Sequence, residues 1–293
     1  MSLPSPFDFQ FMRLALVAGL VVGACAPLIG TFLVQRRMSL MGDGVGHLAF
    51  AGVAGGLLLG VWPVWSALVV AVAGALLIER LRARRRASGD LALALLFYSG
   101  IASGVILLGL AGSLNASLFA YLFGSILTVS RGDVTVVALL GMLIVASMAV
   151  CGRAWFSIAV DEDAARVAGL PVDALNAVLA ALTAVTVVAA MRVVGVLLVA
   201  ALMVLPVASG RLLGRSFRAS VGWSVAVGTG SVVTGLLAAW VLALPPGGTI
   251  VLTAAGVFTL VSLANRKRTS REEPDGDAPP AADRRADQAG TLR

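Results

Sequence analysis

The chain has 293 residues, 59% of them hydrophobic and only 13% charged, where a soluble domain carries about a quarter charged residues. With a mean hydropathy of +0.98, that balance excludes a soluble globular enzyme, a disordered protein and a coiled coil, and leaves a chain that uses the bilayer as its solvent. The formal charge of +7 does not point to nucleic acid. The arginines sit between apolar runs, where positive-inside topology places them, and form no basic stripe with interleaved aromatics.

The first apolar run covers 14–34. Arg13 before it and Val22-Gly23-Ala24-Cys25 within it look like a lipoprotein leader. The run continues past Cys25 and is long enough to span, so it reads as a membrane helix. Further spans are predicted at about 38–61, 62–78, 91–111, 134–151, 174–191, 193–210, 219–244 and 249–264, each near the ~20 residues that cross hydrocarbon as a helix. Strands are excluded because the runs lack a period of two and lipid demands that backbone groups be satisfied within their own segment. The expected fold is an all-α integral membrane bundle of eight or nine transmembrane helices with a short cytoplasmic helix. The count depends on whether 174–210 is two helices or one element kinked around Arg192 and Gly195. The run 118–128 is too short to span and reads as a re-entrant or interfacial helix.

Arg36 and Arg37, the arginines of 80–86, Arg153 and Arg166, and those of 211–218 and 266–268 all fall at span ends. With nine spans they all face the cytoplasm, which places the N-terminus outside and the C-terminus inside; Arg131 and Arg192 are the exceptions. The organisation is a short N-terminal segment (1–10), a transmembrane domain (11–265) and a tail (266–293). The tail is rich in Arg, Glu, Asp, Ala and Pro, and is expected to be a disordered cytoplasmic segment because it has too little apolar surface to bury. Glycines recur at four-residue spacing (Gly19 and Gly23; Gly52, Gly56 and Gly60; Gly100 and Gly104), the pattern of closely packed membrane helices.

Cys25 and Cys151 are too few for a disulfide framework and are not spaced as a metal motif. The only lysine, Lys267, is followed by Arg268, so the chain has no Walker A motif and any ATP hydrolysis comes from a partner. Outside the tail the acids are Asp8, Asp43, Glu79, Asp90, Asp133, Asp161, Glu162, Asp163 and Asp173. Glu79 adjoins the arginine cluster and reads as a paired interfacial charge, and Asp90 as a cap before a span. Asp43 stands apart. It lies in Met41-Gly42-Asp43-Gly44-Val45-Gly46-His47, ahead of apolar sequence, and His47 is the single histidine. Four residues apart on a helix, the two side chains share a face. Carboxylate and imidazole are ligands for zinc or manganese, and a twofold dimer would bring two of each together as an Asp2His2 cage. The alternative is a buried pair bonded to each other or to carbonyls. Gly42, Gly44 and Gly46 permit close approach but weaken a helix by roughly 1 kcal/mol each relative to alanine, which leaves local unwinding open.

The connection 161–171 reads as a short helix: Asp161, Glu162 and Asp163 in the first turn, Ala164 and Ala165 in the middle, Gly169 at the end and Pro171 as a stop. It is either an ordinary surface helix or a docking helix for a soluble partner.

In its order of motifs the chain resembles the membrane permeases of ABC uptake systems for zinc, manganese and iron. The resemblance spans nearly all of 11–264. It rests on Phe32-Leu33-Val34-Gln35-Arg36-Arg37-Met38, Met41-Gly42-Asp43 with His47, Tyr121-Leu122-Phe123-Gly124-Ser125-Ile126-Leu127, the segment 161–169, and Arg192-Val193-Val194-Gly195-Val196-Leu197-Leu198 with Pro206. It implies a homodimer paired with two cytoplasmic ATPase subunits and an extracytoplasmic metal-binding protein, in a bacterial cytoplasmic membrane. It further implies that Asp43 and His47 line the metal path and that Asp161, Glu162, Asp163, Ala164, Ala165 and Gly169 form the coupling helix. Where the family usually has Ala, Ile or Ser between the Asp and the His, this chain has Gly44 and Gly46. The expectation is therefore a permease with no permanently bound cofactor and no enzymatic activity of its own, importing a divalent transition metal, zinc first and manganese or iron otherwise. A proton-driven carrier using Asp43 and His47 as a relay is opposed by the docking helix and by the lack of other acids within the spans. An intramembrane metalloenzyme is opposed by the single histidine.

Overall fold

The computed structural model describes residues 9–83, 89–110, 116–125 and 129–272. The regular elements among them are all helices: α1 (Gln10–Gln35), α2 (Met41–Leu58), α3 (Pro63–Ala83), α4 (Gly89–Leu110), α5 (Ala116–Phe123), α6 (Arg131–Val160), α7 (Glu162–Val167), α8 (Val172–Ala190), α9 (Val199–Leu213), α10 (Phe217–Leu242) and α11 (Pro246–Glu272). Seven of them (α1, α3, α4, α6, α8, α10 and α11) are long and apolar enough to cross a membrane. The other two predicted spans are α2, whose Asp43, His47 and glycines dilute its hydropathy, and the shorter α9. These nine helices occupy the nine predicted spans. The tail beyond 272 and the side chain of Asp90 lie outside the described residues, while α11 continues past the expected tail boundary to Glu272.

Local chemistry marks several helix starts. Ser130 caps α6 in a reciprocal box: its hydroxyl accepts from the Asp133 amide at 3.2 Å, and the Asp133 carboxylate accepts from the Ser130 amide at 2.9 Å. Ser216 caps α10 by accepting from the Ala219 amide. Pro63 and Pro246 open α3 and α11, where their missing N–H costs nothing. Pro27 within α1 is tolerated because membrane neighbours cover the carbonyl it leaves unbonded. The Gly23 carbonyl lies against Gly228 of α10.

α1 and α8 have 67% of their apolar windows buried, whereas α4 and α6 have only 17%. The first two are inner helices. The second two turn Leu95, Val105, Ile106, Met142, Val145 and Val150 outward, as lipid-facing helices do. The recurrent glycines lie at helix contacts, with one exception. Gly23 meets α10, Gly52 and Gly56 meet α3, and Gly100 meets the α2 backbone at His47. Gly60 packs on nothing and instead makes the turn after α2 with φ +67°.

Two sequence expectations shift at element ends. α6 does not stop near Cys151 but runs to Val160. Its last turns are held by protein rather than lipid: Trp155 is buried and its indole donates to the Leu175 carbonyl of α8 at 2.9 Å. The segment 174–210 is two helices, α8 and α9, and not one kinked element, but they are separated by a break. Residues 191–198 between α8 and α9 are non-helical yet mostly buried, and they are satisfied by the end of α5. The Val196 and Leu197 amides donate to the Tyr121 and Leu122 carbonyls at 2.9 and 3.3 Å, and the Ser125 amide donates to the Arg192 carbonyl at 3.4 Å. Irregular backbone at membrane depth is permitted where protein covers it. The short helix expected at 118–128 is thus α5, docked on this interruption, with 126–128 outside the described residues.

Candidate functional site

The start of α2 fixes the geometry of the Asp43–His47 pair. From Met41 to Ala54 every residue is buried except Asp43 and His47. The two emerge together on one narrow strip, as a four-residue spacing requires. Asp43 opens into a groove of about 270 Å³ lined by Leu40 and by Leu93, Ala94, Phe97 and Tyr98 of α4. The His47 ring stands edge-on to Phe97 with centroids 4.3 Å apart. Neither side chain has a hydrogen-bond partner among the described residues, although their charges are close enough to interact. α2 is continuous through all three glycines. A Cβ at Gly42 would sit 3.2 Å from the Ala200 side chain, and one at Gly46 3.0 Å from the Val196 carbonyl oxygen. Gly42 packs closely on α9 and Gly46 on the α8–α9 interruption, while Gly44 faces Leu93 of α4 with ordinary contact at 3.9 Å. No three His, Cys, Asp or Glu side chains gather among the described residues, so this protomer presents two metal-type ligands and no complete cage.

The predicted coupling segment forms α7. Its acids divide three ways. Asp161 is the cap and accepts from the Ala164 amide at 2.9 Å. Glu162 turns inward and pairs with Arg36 at 3.0 Å. Asp163 faces outward with Ala164, and Val167 is 89% exposed. Ala165 is the buried contact. Gly169 has φ +83°, the left-handed conformation of a helix stop, and a side chain there would meet nothing within 4 Å. Arg166 bonds Asp173 at 3.0 Å, and that hydrogen bond holds its guanidinium above the ordinary value.

Two clusters go beyond the sequence reading, which pairs Glu79 with the neighbouring arginines but does not join it to other helices. At one end of the bundle Arg36, Arg82, Glu79, Glu162 and Asn176 form a network, with Glu79 buried and 3.5 Å from Arg82. Burial and the adjacent Arg82 push the Arg36 guanidinium below its ordinary value, and Glu162 and Glu79 oppose that. At the other end the two exceptional arginines find partners. Arg192 pairs with Asp133 at 2.8 Å and lies 4.9 Å over the Tyr121 ring, and Arg131 reaches the Gln10 side chain at 3.0 Å. The one signal for this second cluster was that these arginines broke the charge pattern.

Residues 8–265 match the model of the ABC 3 transport family. This chain belongs to that family. It is a transport subunit, not an enzyme, and a multi-pass membrane protein. Similar proteins include the manganese import system permease protein ScaB of Streptococcus gordonii, 31% identical over 86% of this chain and 90% of that one. The high-affinity zinc uptake system membrane protein ZnuB of Haemophilus influenzae is 28% identical over 89% and 99%. A chain of PsaBC from Streptococcus pneumoniae, solved in complex with a Fab, superposes with a TM-score of 0.79 at 31% identity, covering 87% of this chain and 92% of that one.

Proposed function

We propose that this family member is the permease of an ATP-driven importer of divalent transition metal, with zinc as cargo. It works as a homodimer with two cytoplasmic ATPase subunits docked on α7 and an extracytoplasmic metal-binding protein on the opposite side. The observation that carries this reading is the strip on α2: two metal-type ligands, without a hydrogen-bond partner among the described residues, are the only openings in the buried stretch from Met41 to Ala54. A twofold partner supplies the same pair and brings the ligand count to four, the number a tetrahedral zinc site takes. The ion passes from the binding protein to this shared site and on to the cytoplasm, and ATP hydrolysis by the partners drives the motion. Imidazole favours zinc over manganese. Manganese is the second reading, favoured by the likeness to the ScaB permease.

The test is uptake by the complete complex in vesicles, with zinc, manganese and iron competing at equal free concentration. Zinc is expected to enter first and only with ATP. Transport that persists without the ATPase subunits would overturn the reading, as would indifference to all three metals.

The α7 surface makes a separate prediction. Asp163→Arg is expected to weaken ATPase-subunit binding, because it reverses an exposed charge without touching the bundle. Gly169→Ile is expected to lower the number of ions moved per ATP while the protein stays in the membrane. The site has room for the side chain, so the cost is the left-handed backbone alone, about 1–2 kcal/mol. Pull-down affinity and the transport-to-hydrolysis ratio check the two. Wild-type values in both variants would make α7 an ordinary connection.

A further inference from the structure

α7 is bonded to the bundle at two side chains: Arg166, exposed, pairs with Asp173 of α8, and Glu162 faces inward. The Glu162 carboxylate accepts from Arg36 Nη2 at 3.0 Å and lies 4.0 Å from Arg82. Arg36 is the buried member, its side chain 6% exposed against 38% for Glu162. Its other amino group donates to Asn176 of α8 at 2.6 Å, and Asn176 is itself buried. One planar fork therefore holds α7 and α8 together, a geometry that guanidinium supports and ammonium does not.

Arg36 is also the cap of α1 and the first residue of the turn leading to α2. That turn has little slack. The Arg36 amide donates to Phe32, Arg37 to Val34, Met38 to Leu33, Met41 to Met38 and Gly44 to Leu40, all between 2.8 and 3.2 Å. Arg82 adds a contact to the Met38 sulfur at 2.9 Å. The run from Arg36 to the start of α2 is thus hydrogen-bonded at Arg36, Arg37, Met38, Met41 and Gly44.

We infer that Arg36 is a positioning residue that ties the coupling helix to the start of α2, so that displacement of α7 reaches Asp43 and His47. The inference rests on α7 being the ATPase-docking element. A buried charge resists separation from its partner, so α7 carries the 36–40 turn with it when it moves. Coupling of this kind needs a continuous packed and bonded element between two sites, and this turn is one.

The test uses the full complex. Arg36→Gln keeps a hydrogen bond for Asn176 and removes the charge that holds Glu162. Glu162 retains Arg166, at 3.4 Å, and Arg82. The expected result is normal abundance with a fall of about tenfold in ions transported per ATP. Arg36→Lys restores the charge but not the fork and is expected to recover only part of that ratio. Glu162→Gln, which approaches the pair from its exposed side, is expected to lower the ratio as Arg36→Gln does, and the double variant to be no worse than either single one. Hydrogen exchange of residues 38–47 on adding the ATPase subunits needs no transported ion. Wild type is expected to show protection there and Arg36→Gln to lose it. This keeps the link testable even if the cargo assignment fails. A wild-type ratio in both Arg36→Gln and Glu162→Gln would overturn the inference. So would additive losses in the double variant, or protection of 38–47 that Arg36→Gln leaves unchanged.

Discussion

Asp43→Ala and His47→Ala are each expected to abolish metal uptake at wild-type abundance. A buried structural pair behaves otherwise: truncating one member strands the other at a cost of about 1–3 kcal/mol, and abundance falls. Here neither side chain has a hydrogen-bond partner among the described residues, and both reach the edge of α2, so truncation strands no partner among those residues. What is lost is the ligand. Asp43→His is expected to keep binding but shift the preference further toward zinc, because imidazole replaces a carboxylate. A complex of one wild-type and one doubly substituted protomer is expected to be severely impaired, since the twofold site loses half its ligands. Uptake of radioactive zinc and manganese at matched expression decides the matter. Wild-type rates in the single alanine variants would show that ions take another route.

Gly195→Val is expected to prevent accumulation of folded protein. Gly195 has φ +89°, and a β-branched residue held there costs about 1–3 kcal/mol in backbone strain. Its Cβ would also meet the Leu122 carbonyl oxygen, the Phe123 carbonyl carbon and the Gly124 amide nitrogen. All three are backbone atoms and cannot swing aside as a side chain would, so overpacking adds a further ~1–3 kcal/mol. The displaced segment is the one whose amides bond α5, so the loss spreads to the α5 docking and to Gly124, which packs against Val193. Gly256→Val on α11 is the control: nothing lies within 4 Å of its Cβ, and abundance is expected to be unchanged. Membrane abundance and monodispersity in detergent measure both. Equal accumulation of the two variants would show that the interruption tolerates a side chain.

The solvent, the class and the positions of the spans are legible in the sequence. Those follow from hydropathy and length, because a lipid environment leaves a backbone few options. The sequence also marked out Asp43, His47 and the helix ending at Gly169, since isolated charge in apolar sequence and a Gly stop are local signals. What it left open was decided by contacts between distant segments. The close packing of Gly42 and Gly46 in α2 depends on Ala200 and Val196, 158 and 150 positions away. α6 keeps its last turns because Trp155 has Leu175 to bond. The buried stretch 191–198 loses its helix because Gly195 bends the chain and α5 supplies the missing carbonyls. The three acids of 161–163 look equivalent in a row, yet one caps, one turns inward and one faces out. The cap is local, made by the Ala164 amide three residues on, but the inward turn of Glu162 was set by Arg36, a partner 126 positions away, which the row of acids does not reveal.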